Sequence, residues 1–93
     1  MTYISGKITG LDLHVSRLNF EFAQIKLAPN KTIHPFEIKP LFGKSKWINH
    51  MISDVIILIK CDSIYFLSNW NNSRGARIEM FFAKLLKKKI YYE

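Results

Sequence analysis

The sequence has 93 residues, 48% of them hydrophobic, and a formal net charge of +7. This length accommodates one small domain with a modest core, and the ordinary hydrophobic content argues against intrinsic disorder. The longest unbroken apolar run covers residues 55–59 and is far too short to cross a membrane.

A few residues bear on compartment and metal content. The amino terminus has no basic segment followed by an apolar stretch, so it does not resemble a signal peptide. The one cysteine, Cys61, excludes an internal disulfide. His14, His34 and His50 show no metal-ligand spacing with one another or with Cys61. We therefore expect a cytoplasmic protein with no catalytic metal, no other cofactor and no membrane partner.

The basic balance of the chain favours a partner that carries phosphate, either a nucleotide or a nucleic acid. Four lysines, Lys84, Lys87, Lys88 and Lys89, lie together near the end of the sequence. They also fit a solvated helix face with cations at the carboxyl end of the helix. The charge alone does not decide between these interpretations, and a nucleic-acid partner is the less favoured hypothesis.

The first half of the chain predicts a strand, a helix and a short second strand. Residues 2–5 are β-prone and run into a glycine. Ser16 is the predicted N-cap of a segment that reaches to about Leu27. The apolar spacing of that segment fits both helix and strand, and the wider pattern favours a helix. Residues 32–35 predict a second strand that a proline ends.

The second half predicts two more helices and two more strands. Residues 47–59 place apolar side chains at helical spacing, and residues 63–67 are typical of a buried strand. Residues 90–92 predict the last strand. Ser73 is the predicted N-cap of the helix before it. The apolar side of that helix is expected to consist of Ile78, Phe81, Phe82 and Leu85.

Strands that alternate with helices predict a parallel sheet joined by crossover helices. Because no repeat, linker or low-complexity stretch is present, residues 1–93 are expected to form a single α/β domain. We expect a small three-layer arrangement, with a short parallel sheet flanked by helices as in flavodoxin-like and Rossmann-like folds. A ligand of such a fold binds at the loops that follow the strands.

The loop after the first predicted strand, residues 5–10, is the first candidate for ligand binding. Its two glycines allow backbone N–H groups to approach a ligand closely. It matches neither the dinucleotide-binding fingerprint nor the Walker loop, and an ordinary turn also explains the glycines. The candidate residues in it are Ser5, Gly6, Lys7, Ile8 and Gly10.

Two carboxylates and a helix start complete the candidate site. Asp54 falls at the edge of the apolar side of its helix, and Glu79 lies about one turn after Gly75. Carboxylates are seldom buried without a partner or a task, although hydrogen-bonded or salt-bridged surface residues explain both positions as well. Ser73 and the following N–H groups form a helix amino terminus suited to an anion. Arg74 adds a guanidinium that pairs well with phosphate.

A recognisable series of residues runs through nearly the whole chain. It consists of Tyr3-Ile4-Ser5-Gly6-Lys7-Ile8-Thr9-Gly10, Pro35, Trp47, Met51, Asp54, Asp62, Trp70, Ser73-Arg74-Gly75-Ala76 and Glu79. This series resembles the small bacterial and phage proteins of the nucleoside 2-deoxyribosyltransferase superfamily. It is similar, more distantly, to the 2'-deoxynucleoside 5'-phosphate N-hydrolases. The spacing of Asp54, Asp62, Ser73 and Glu79 is the specific part of the resemblance.

The resemblance implies glycosidic chemistry. Glu79 corresponds to the family's nucleophile, which attacks C1' of a deoxyribose and holds the sugar as a covalent ester. Asp54 corresponds to the aspartate beside the departing base, which it helps to protonate or orient. Covalent catalysis divides one hard displacement into two easier ones, and retaining glycosidases use two carboxyl groups about 5 Å apart.

The resemblance also implies a nucleoside or a nucleoside monophosphate as substrate. Ser73 corresponds to a residue that binds the 5'-phosphate in the N-hydrolases, and Asp62 is expected to be structural. Thr9 stands where those enzymes carry a phosphate-binding arginine, so Lys7 or Arg74 would supply that charge. The expected substrate-binding residues are Ser5, Gly6, Lys7, Ile8, Gly10, Trp70, Ser73, Arg74 and Gly75.

The leading hypothesis is therefore a nucleotide-directed N-glycosidase or deoxyribosyltransferase. The alternative is a non-catalytic module that binds or sequesters a nucleotide or a nucleotide-derived signal. In either case we expect a homodimer or a higher homo-oligomer, because one small domain cannot enclose all of its aromatic side chains. These are Phe20, Phe22, Phe36, Phe42, Trp47, Phe81, Phe82, Tyr91 and Tyr92.

Overall fold

Strands and helices alternate along the chain as the sequence predicts. The computed structural model describes residues 1–39 and 47–93, so Phe42 lies outside the described residues. Short 3-10 turns follow the second and third strands, at Pro35–Glu37 and Trp70–Asn72. The elements are β1 (Thr2–Ser5), α1 (Leu13–Leu27), β2 (Thr32–Ile33), α2 (Trp47–Lys60), β3 (Ser63–Phe66), α3 (Arg74–Leu85) and β4 (Lys89–Tyr92).

The four strands form one parallel sheet in the order β2-β1-β3-β4. Tyr3 of β1 is level with Ile33 of β2 on one side and with Ile64 of β3 on the other. The chain moves from β1 outward to β2, then crosses back to β3 and continues to β4. The direction of winding therefore reverses between β1 and β3. The predicted α/β fold with a short parallel sheet is confirmed.

Helices cover both faces of the sheet, which gives the expected three layers. On one face, Leu58 of α2 and Met80 of α3 pack against the sheet residues Tyr3, Ile64 and Phe66. A second set of buried side chains lies on the opposite face, beneath α1: Ile4, Phe20, Ala23, Tyr65 and Leu67. In the parts of the chain that the structure describes, no helix is long and apolar enough to cross a bilayer.

The start of α1 differs from the sequence prediction. Asp12, rather than Ser16, is the N-cap, and its carboxylate accepts hydrogen bonds from the N–H groups of His14 and Val15 at 2.9 and 3.2 Å. Ser16 lies one turn inside the helix, is fully buried, and donates from its hydroxyl to the carbonyl of Lys7 at 2.8 Å. The predicted cap is wrong because Ser16 has this tertiary partner, while Asp12 is free to turn back onto the first N–H groups.

The buried side of α3 also differs from the prediction. Phe81 and Leu85, expected to face the core, are 62% and 63% exposed. The residues that α3 buries are Ala76, Glu79, Met80 and Ala83. Small side chains on the buried side allow α3 to lie close to the sheet and to α2, and Glu79 on that side has hydrogen-bond partners on β1. The larger apolar residues are therefore left on the outer side of the helix.

Candidate functional site

The buried carboxylate of Glu79 is held by two hydroxyl groups of β1. Tyr3 donates to Oε2 at 2.5 Å, and Ser5 donates to Oε1 at 2.6 Å. Tyr3 and Ser5 are two residues apart on one strand, so their side chains point to the same face of the sheet. Each carboxylate oxygen therefore has its own donor, which fixes both the position and the rotation of the group.

The environment of Glu79 changes its acidity. The side chain is only 3% exposed. Burial raises its pKa to about 7, and the hydrogen bonds from Ser5 and Tyr3 act in the opposite direction by favouring the ionised form. Tyr3 itself stays protonated, because burial and then the charge of Glu79 raise its pKa well above the ordinary value. The phenol is therefore a permanent donor to this carboxylate at neutral pH.

Asp54, on α2, is the second carboxylate of the site. It is 9% exposed, and burial followed by the negative charge of Glu79 raises its pKa to about 8. The charges of Asp54 and Glu79 also both raise the pKa of Tyr3, so all three groups share one electrostatic environment. Two helices and one strand thus bring together the two carboxylates that the sequence singled out.

The two carboxyl groups differ in what they can do near neutral pH. Glu79 receives two hydrogen bonds and gives up its proton first, while Asp54 keeps its proton because the neighbouring charge and its burial disfavour ionisation. One ionised and one protonated carboxyl group in the same site are a nucleophile or base paired with an acid.

The loops after β1 and β3 are joined beside this pair. The N–H of Leu67 donates to the carbonyl of Ser5 at 2.8 Å, which extends the contact between the two strands. The N–H of Lys7 donates to the side-chain carbonyl of Asn69 at 3.0 Å. Both loops therefore leave the sheet together at the point where its winding reverses, which is where open α/β sheets bind ligands.

The two glycines of the opening loop have different structural causes. A side chain at Gly6 would begin 2.5 Å from Cδ1 of Leu67, so this residue is small because the loop after β3 packs directly against it. Gly10 has a φ of +89°, a conformation that other residues rarely adopt. The residues between them include Lys7 and Ile8, both partly buried. The structure thus explains both glycines by packing and turn geometry.

The start of α3 lies at the same end of the sheet. Ser73 is the N-cap, as predicted, and its hydroxyl oxygen accepts from the N–H of Ala76 at 3.1 Å. At Gly75, an added Cβ would lie 3.3 Å from the sulfur of Met51 and 3.9 Å from the hydroxyl of Ser73, so the missing side chain permits close contact with α2. The guanidinium of Arg74 stacks over the ring of Trp47 at 4.5 Å.

Trp70 belongs to an aromatic group at this end of the sheet. Its ring lies 5.1 Å from that of Phe66 and 6.2 Å from that of Tyr92, measured between centroids. The predicted site residues therefore occupy three neighbouring segments: the loop after β1, the loop after β3 and the start of α3. Asp62 lies at the opposite end of β3, where it pairs with the amino terminus of the chain at 3.1 Å.

Tyr3 is a residue of the site that was not expected from the sequence. Its position two residues before Ser5 on a strand was a usable signal, because alternate residues share a face. That signal was incomplete, since the partner of Tyr3 lies 76 residues later in the chain.

Comparison with known proteins places this arrangement in a family. Residues 1–92 match the family model described as Domain of unknown function (DUF4406). The chain belongs to this family. None of the curated proteins matches it.

A solved structure shares the fold of this DUF4406 domain. It is described as 2-desoxiribosyltransferase from Leishmania mexicana, with a TM-score of 0.67 and 18% sequence identity over 98% of this chain. This chain spans 61% of the length of that protein. The expected resemblance to the nucleoside 2-deoxyribosyltransferases is thus confirmed, and at this identity it establishes the fold.

Proposed function

We propose that this protein is a nucleotide-directed N-glycosidase or deoxyribosyltransferase that cleaves the base–sugar bond through Glu79. The observation that carries the proposal is the doubly hydrogen-bonded carboxylate of Glu79, which shares a buried environment with the protonated carboxyl of Asp54. The pair lies beside the reversal point of the sheet. The likeness of the fold to a 2-deoxyribosyltransferase adds support.

In the proposed reaction, a carboxylate oxygen of Glu79 forms a bond to C1' of the sugar while the bond from C1' to the base nitrogen breaks. The base leaves with the bonding electron pair and takes up the proton of Asp54. A water molecule or a second base then gives its proton to the ionised Asp54 and bonds to C1', while the bond from C1' to Glu79 breaks; this restores both carboxyl groups and completes hydrolysis or transfer. Tyr3 and Ser5 hold the attacking carboxylate in place throughout.

We further propose that the substrate is a nucleoside or a nucleoside monophosphate. The sugar would lie above the joined loops, against Ser5, Gly6, Lys7, Ile8 and Gly10, with Trp70 nearby. A 5'-phosphate would lie at the start of α3, where Ser73 caps the N–H of Ala76 and the N–H groups of Arg74 and Gly75 would face the phosphate. Ser73, Arg74 and Gly75 form that helix start.

We also propose that the protein is a homodimer or a higher homo-oligomer located in the cytoplasm. The oligomeric state is supported by large apolar side chains that remain on the surface of the domain. Two of them are the aromatic residues Phe22 and Phe81, with 64% and 62% of their surface exposed.

Incubation with a panel of nucleosides and nucleoside monophosphates, followed by chromatography for free base, tests the proposed activity. We expect base release from at least one member of the panel, and added acceptor base should divert the product from free sugar to a new nucleoside if the enzyme is a transferase. Binding of a nucleotide without base release, measured by calorimetry on the same panel, would instead support the non-catalytic module.

A further inference from the structure

Many of the lysines lie at one end of the molecule, the edge of the sheet at which the strands begin. Five of the described lysines are within three residues of the start of a strand: Lys31, Lys60, Lys87, Lys88 and Lys89. One carboxylate, Asp62, lies at this edge, and it pairs with the amino terminus. The rest of the described chain has seven cationic side chains and six carboxylates. The positive charge of the described residues is therefore concentrated at this edge.

Part of this charge has a structural explanation. Lys60 is the last residue of α2, and a cation is favourable at the carboxyl end of a helix. Lys88 donates from Nζ to a carbonyl of the same helix end at 2.8 Å. Lys31 and Lys89 lie outside the helices, and neither forms an ion pair with a described residue. Lys89 interacts with Asp62 at longer range only. These two amines are therefore available to a ligand.

Lys31 and Lys89 both line a groove of about 570 Å³ between the end of α1 and the starts of the strands. Lys31 directly precedes Thr32 of β2, and Lys89 begins β4. The residues level with one another across the sheet, from β2 to β4, are Thr32, Thr2, Ser63 and Lys89. With about 4.8 Å between neighbouring strands, this row is about 14 Å long. The groove thus runs across the edge of the sheet, with a lysine at each end.

The floor of the groove is polar and aromatic. The hydroxyl oxygens of Thr2 and Ser63 lie 2.6 Å apart, within hydrogen-bond distance. Tyr65 of β3 is level with Tyr91 of β4, and both line the groove. Tyr91 is 51% exposed, and it shares one face of β4 with Lys89 because the two are two residues apart. A sheet face that packs under a helix is hydrophobic, so this lining favours a polar, anionic ligand with flat rings.

We propose that this groove binds single-stranded nucleic acid, with phosphates on Lys31 and Lys89 and a base stacked on Tyr91. Cationic side chains beside an exposed aromatic ring are the combination by which proteins bind single strands without sequence preference. A stacked strand carries about one phosphate per 3.4 Å, so a row of about 14 Å spans about four nucleotides. A duplex keeps its base faces inside its own stack and does not offer them to Tyr91.

Fluorescence anisotropy of the full chain with a labelled oligothymidylate of about eight nucleotides tests the proposal. We expect a Kd on the order of 10 µM at low salt, and a slope of log K against log salt between about −1 and −2, as for two neutralised phosphates. Lys31→Glu and Lys89→Glu should each weaken binding by about tenfold. Lys39→Glu, an exposed lysine that follows β2 at the other edge of the sheet, is the matched control and should stay within about threefold.

The stacking contact has its own test. Tyr91→Ala should weaken binding of the single strand by about tenfold, because the ring that stacks on a base is lost. Tyr91→Phe keeps the ring and should stay within about threefold of wild type. Binding of a duplex of the same length should be equal in wild type and Tyr91→Ala. Circular dichroism verifies that each variant is folded.

No binding of the strand at low salt would overturn the inference. Equal losses in Lys39→Glu and Lys89→Glu would also overturn it, because they would indicate a charge effect without a defined site. Loss of binding in Arg74→Ala but not in Lys89→Glu would place the strand at the start of α3 instead. Tighter binding to vesicles of phosphatidylserine and phosphatidylcholine than to the strand would identify a membrane surface as the ligand and refute the proposal.

The inference does not rest on the proposed glycosidic chemistry. The groove, with Tyr65, lies on the α1 face of the sheet, whereas Tyr3 and its partner Glu79 lie on the other face. Lys89→Glu should therefore leave base release from nucleoside monophosphates unchanged, and Glu79→Gln should leave binding of the strand unchanged. The failure of one proposal is thus distinguishable from the failure of the other.

Discussion

The phenolic oxygen of Tyr3, on the first strand, lies 2.5 Å from Oε2 of Glu79, on the last helix. This contact joins residues 76 positions apart and places a permanent donor on a buried carboxylate. The same hydrogen bond joins α3 to the sheet and lowers the pKa of the proposed nucleophile, Glu79. Changes at Tyr3 should therefore be visible in the pH dependence of activity.

Tyr3→Phe should shift the acidic limb of the kcat/KM profile to higher pH. Burial already raises the pKa of Glu79 to about 7, and loss of the Tyr3 hydrogen bond removes one of the contacts that favour ionisation. Ser5→Ala should shift the limb in the same direction. Tyr65→Phe, on the opposite face of the sheet, is the control and should leave the limb in place. An unchanged profile in Tyr3→Phe would contradict the positioning role.

Glu79→Gln should lower turnover by about 1,000-fold or more while ligand affinity stays within a few-fold, because the nucleophile is lost and the shape is kept. Calorimetry for binding and chromatography for free base measure the two effects on one sample. Parallel loss of binding and turnover in a folded variant would indicate that Glu79 has a structural role.

Asp54→Asn should lower turnover by about 100-fold, within the range of general acid catalysis. The pKa of Asp54 is about 8, so wild-type activity should fall as the pH rises through that value and the acid loses its proton. The asparagine variant should lack this alkaline limb, because the amide does not titrate. Full activity of Asp54→Asn would show that the residue is not the acid for the leaving base.

The free energy of unfolding should also depend on the ionisation of Asp54 and Glu79. Their pKa values are raised in the folded state, to about 8 for Asp54 and about 7 for Glu79, so the folded state binds more protons than the unfolded one. The stability they contribute is fully present below the unfolded pKa values of about 4 and is lost as the pH rises through 7 and 8. Relative to wild type, Asp54→Asn should therefore gain unfolding free energy between pH 5 and pH 9, on the order of a few kcal/mol.

Urea unfolding at both pH values measures this difference. Asp62→Asn is a control of opposite sign, because the amino terminus holds the pKa of Asp62 below its ordinary value. The stability from Asp62 is present above its unfolded pKa and is lost as the pH falls through its lower folded value. If Asp54→Asn and wild type respond equally to pH, then Asp54 does not keep its proton in the folded protein.

A nucleoside monophosphate should bind more than tenfold more tightly than the matching nucleoside. A charge-assisted hydrogen bond contributes about 1.5–3 kcal/mol, and both Ser73 and Arg74 are available at the start of α3. Stacking on Trp47 uses the face of the Arg74 guanidinium and leaves its N–H edge for phosphate. Ser73→Ala and Arg74→Ala should each remove about half of the difference in binding free energy. Arg77→Ala, an exposed arginine one turn later, is the control.

Equal affinity for the two ligands in calorimetric titrations would refute the phosphate site. It would favour a transferase-like enzyme with an unphosphorylated substrate. A substrate without phosphate would then also explain why Thr9 stands where the N-hydrolases carry a phosphate-binding arginine.

The order of strands and helices was predictable because it depends on local patterns. Apolar spacing along α2 and the polar cap at Ser73 are both visible within a few residues, and both predictions are confirmed. Asp54 and Glu79 were also identified, Asp54 from its position at the edge of the apolar side of α2, Glu79 from its position one turn after Gly75, and both from the family resemblance. Nothing local revealed that the two would share one environment.

Side-chain orientation, in contrast, was decided by tertiary packing. Helix α3 has both a small-residue side, with Ala76 and Ala83, and a large apolar side, with Phe81 and Leu85. The sequence pattern favours burial of the larger side, yet close approach to α2 and the hydrogen bonds of Glu79 to β1 bury the smaller one. A hydrophobic pattern shows which residues are apolar. It does not show how closely the neighbouring helix and sheet pack, and that distance decided which side of α3 is buried.

The sequence by itself determined the fold class and the cap of α3, since periodicity and capping act over distances of a few residues. The family resemblance singled out the two candidate carboxylates. Only the tertiary structure decided that Tyr3 and Ser5 hold Glu79, and that α1 leaves Phe22 and Ile25 exposed. These features depend on the parallel pairing of β1 with β3 and on the side of the sheet that each helix covers. Such contacts join residues distant in the chain, so no local pattern encodes them.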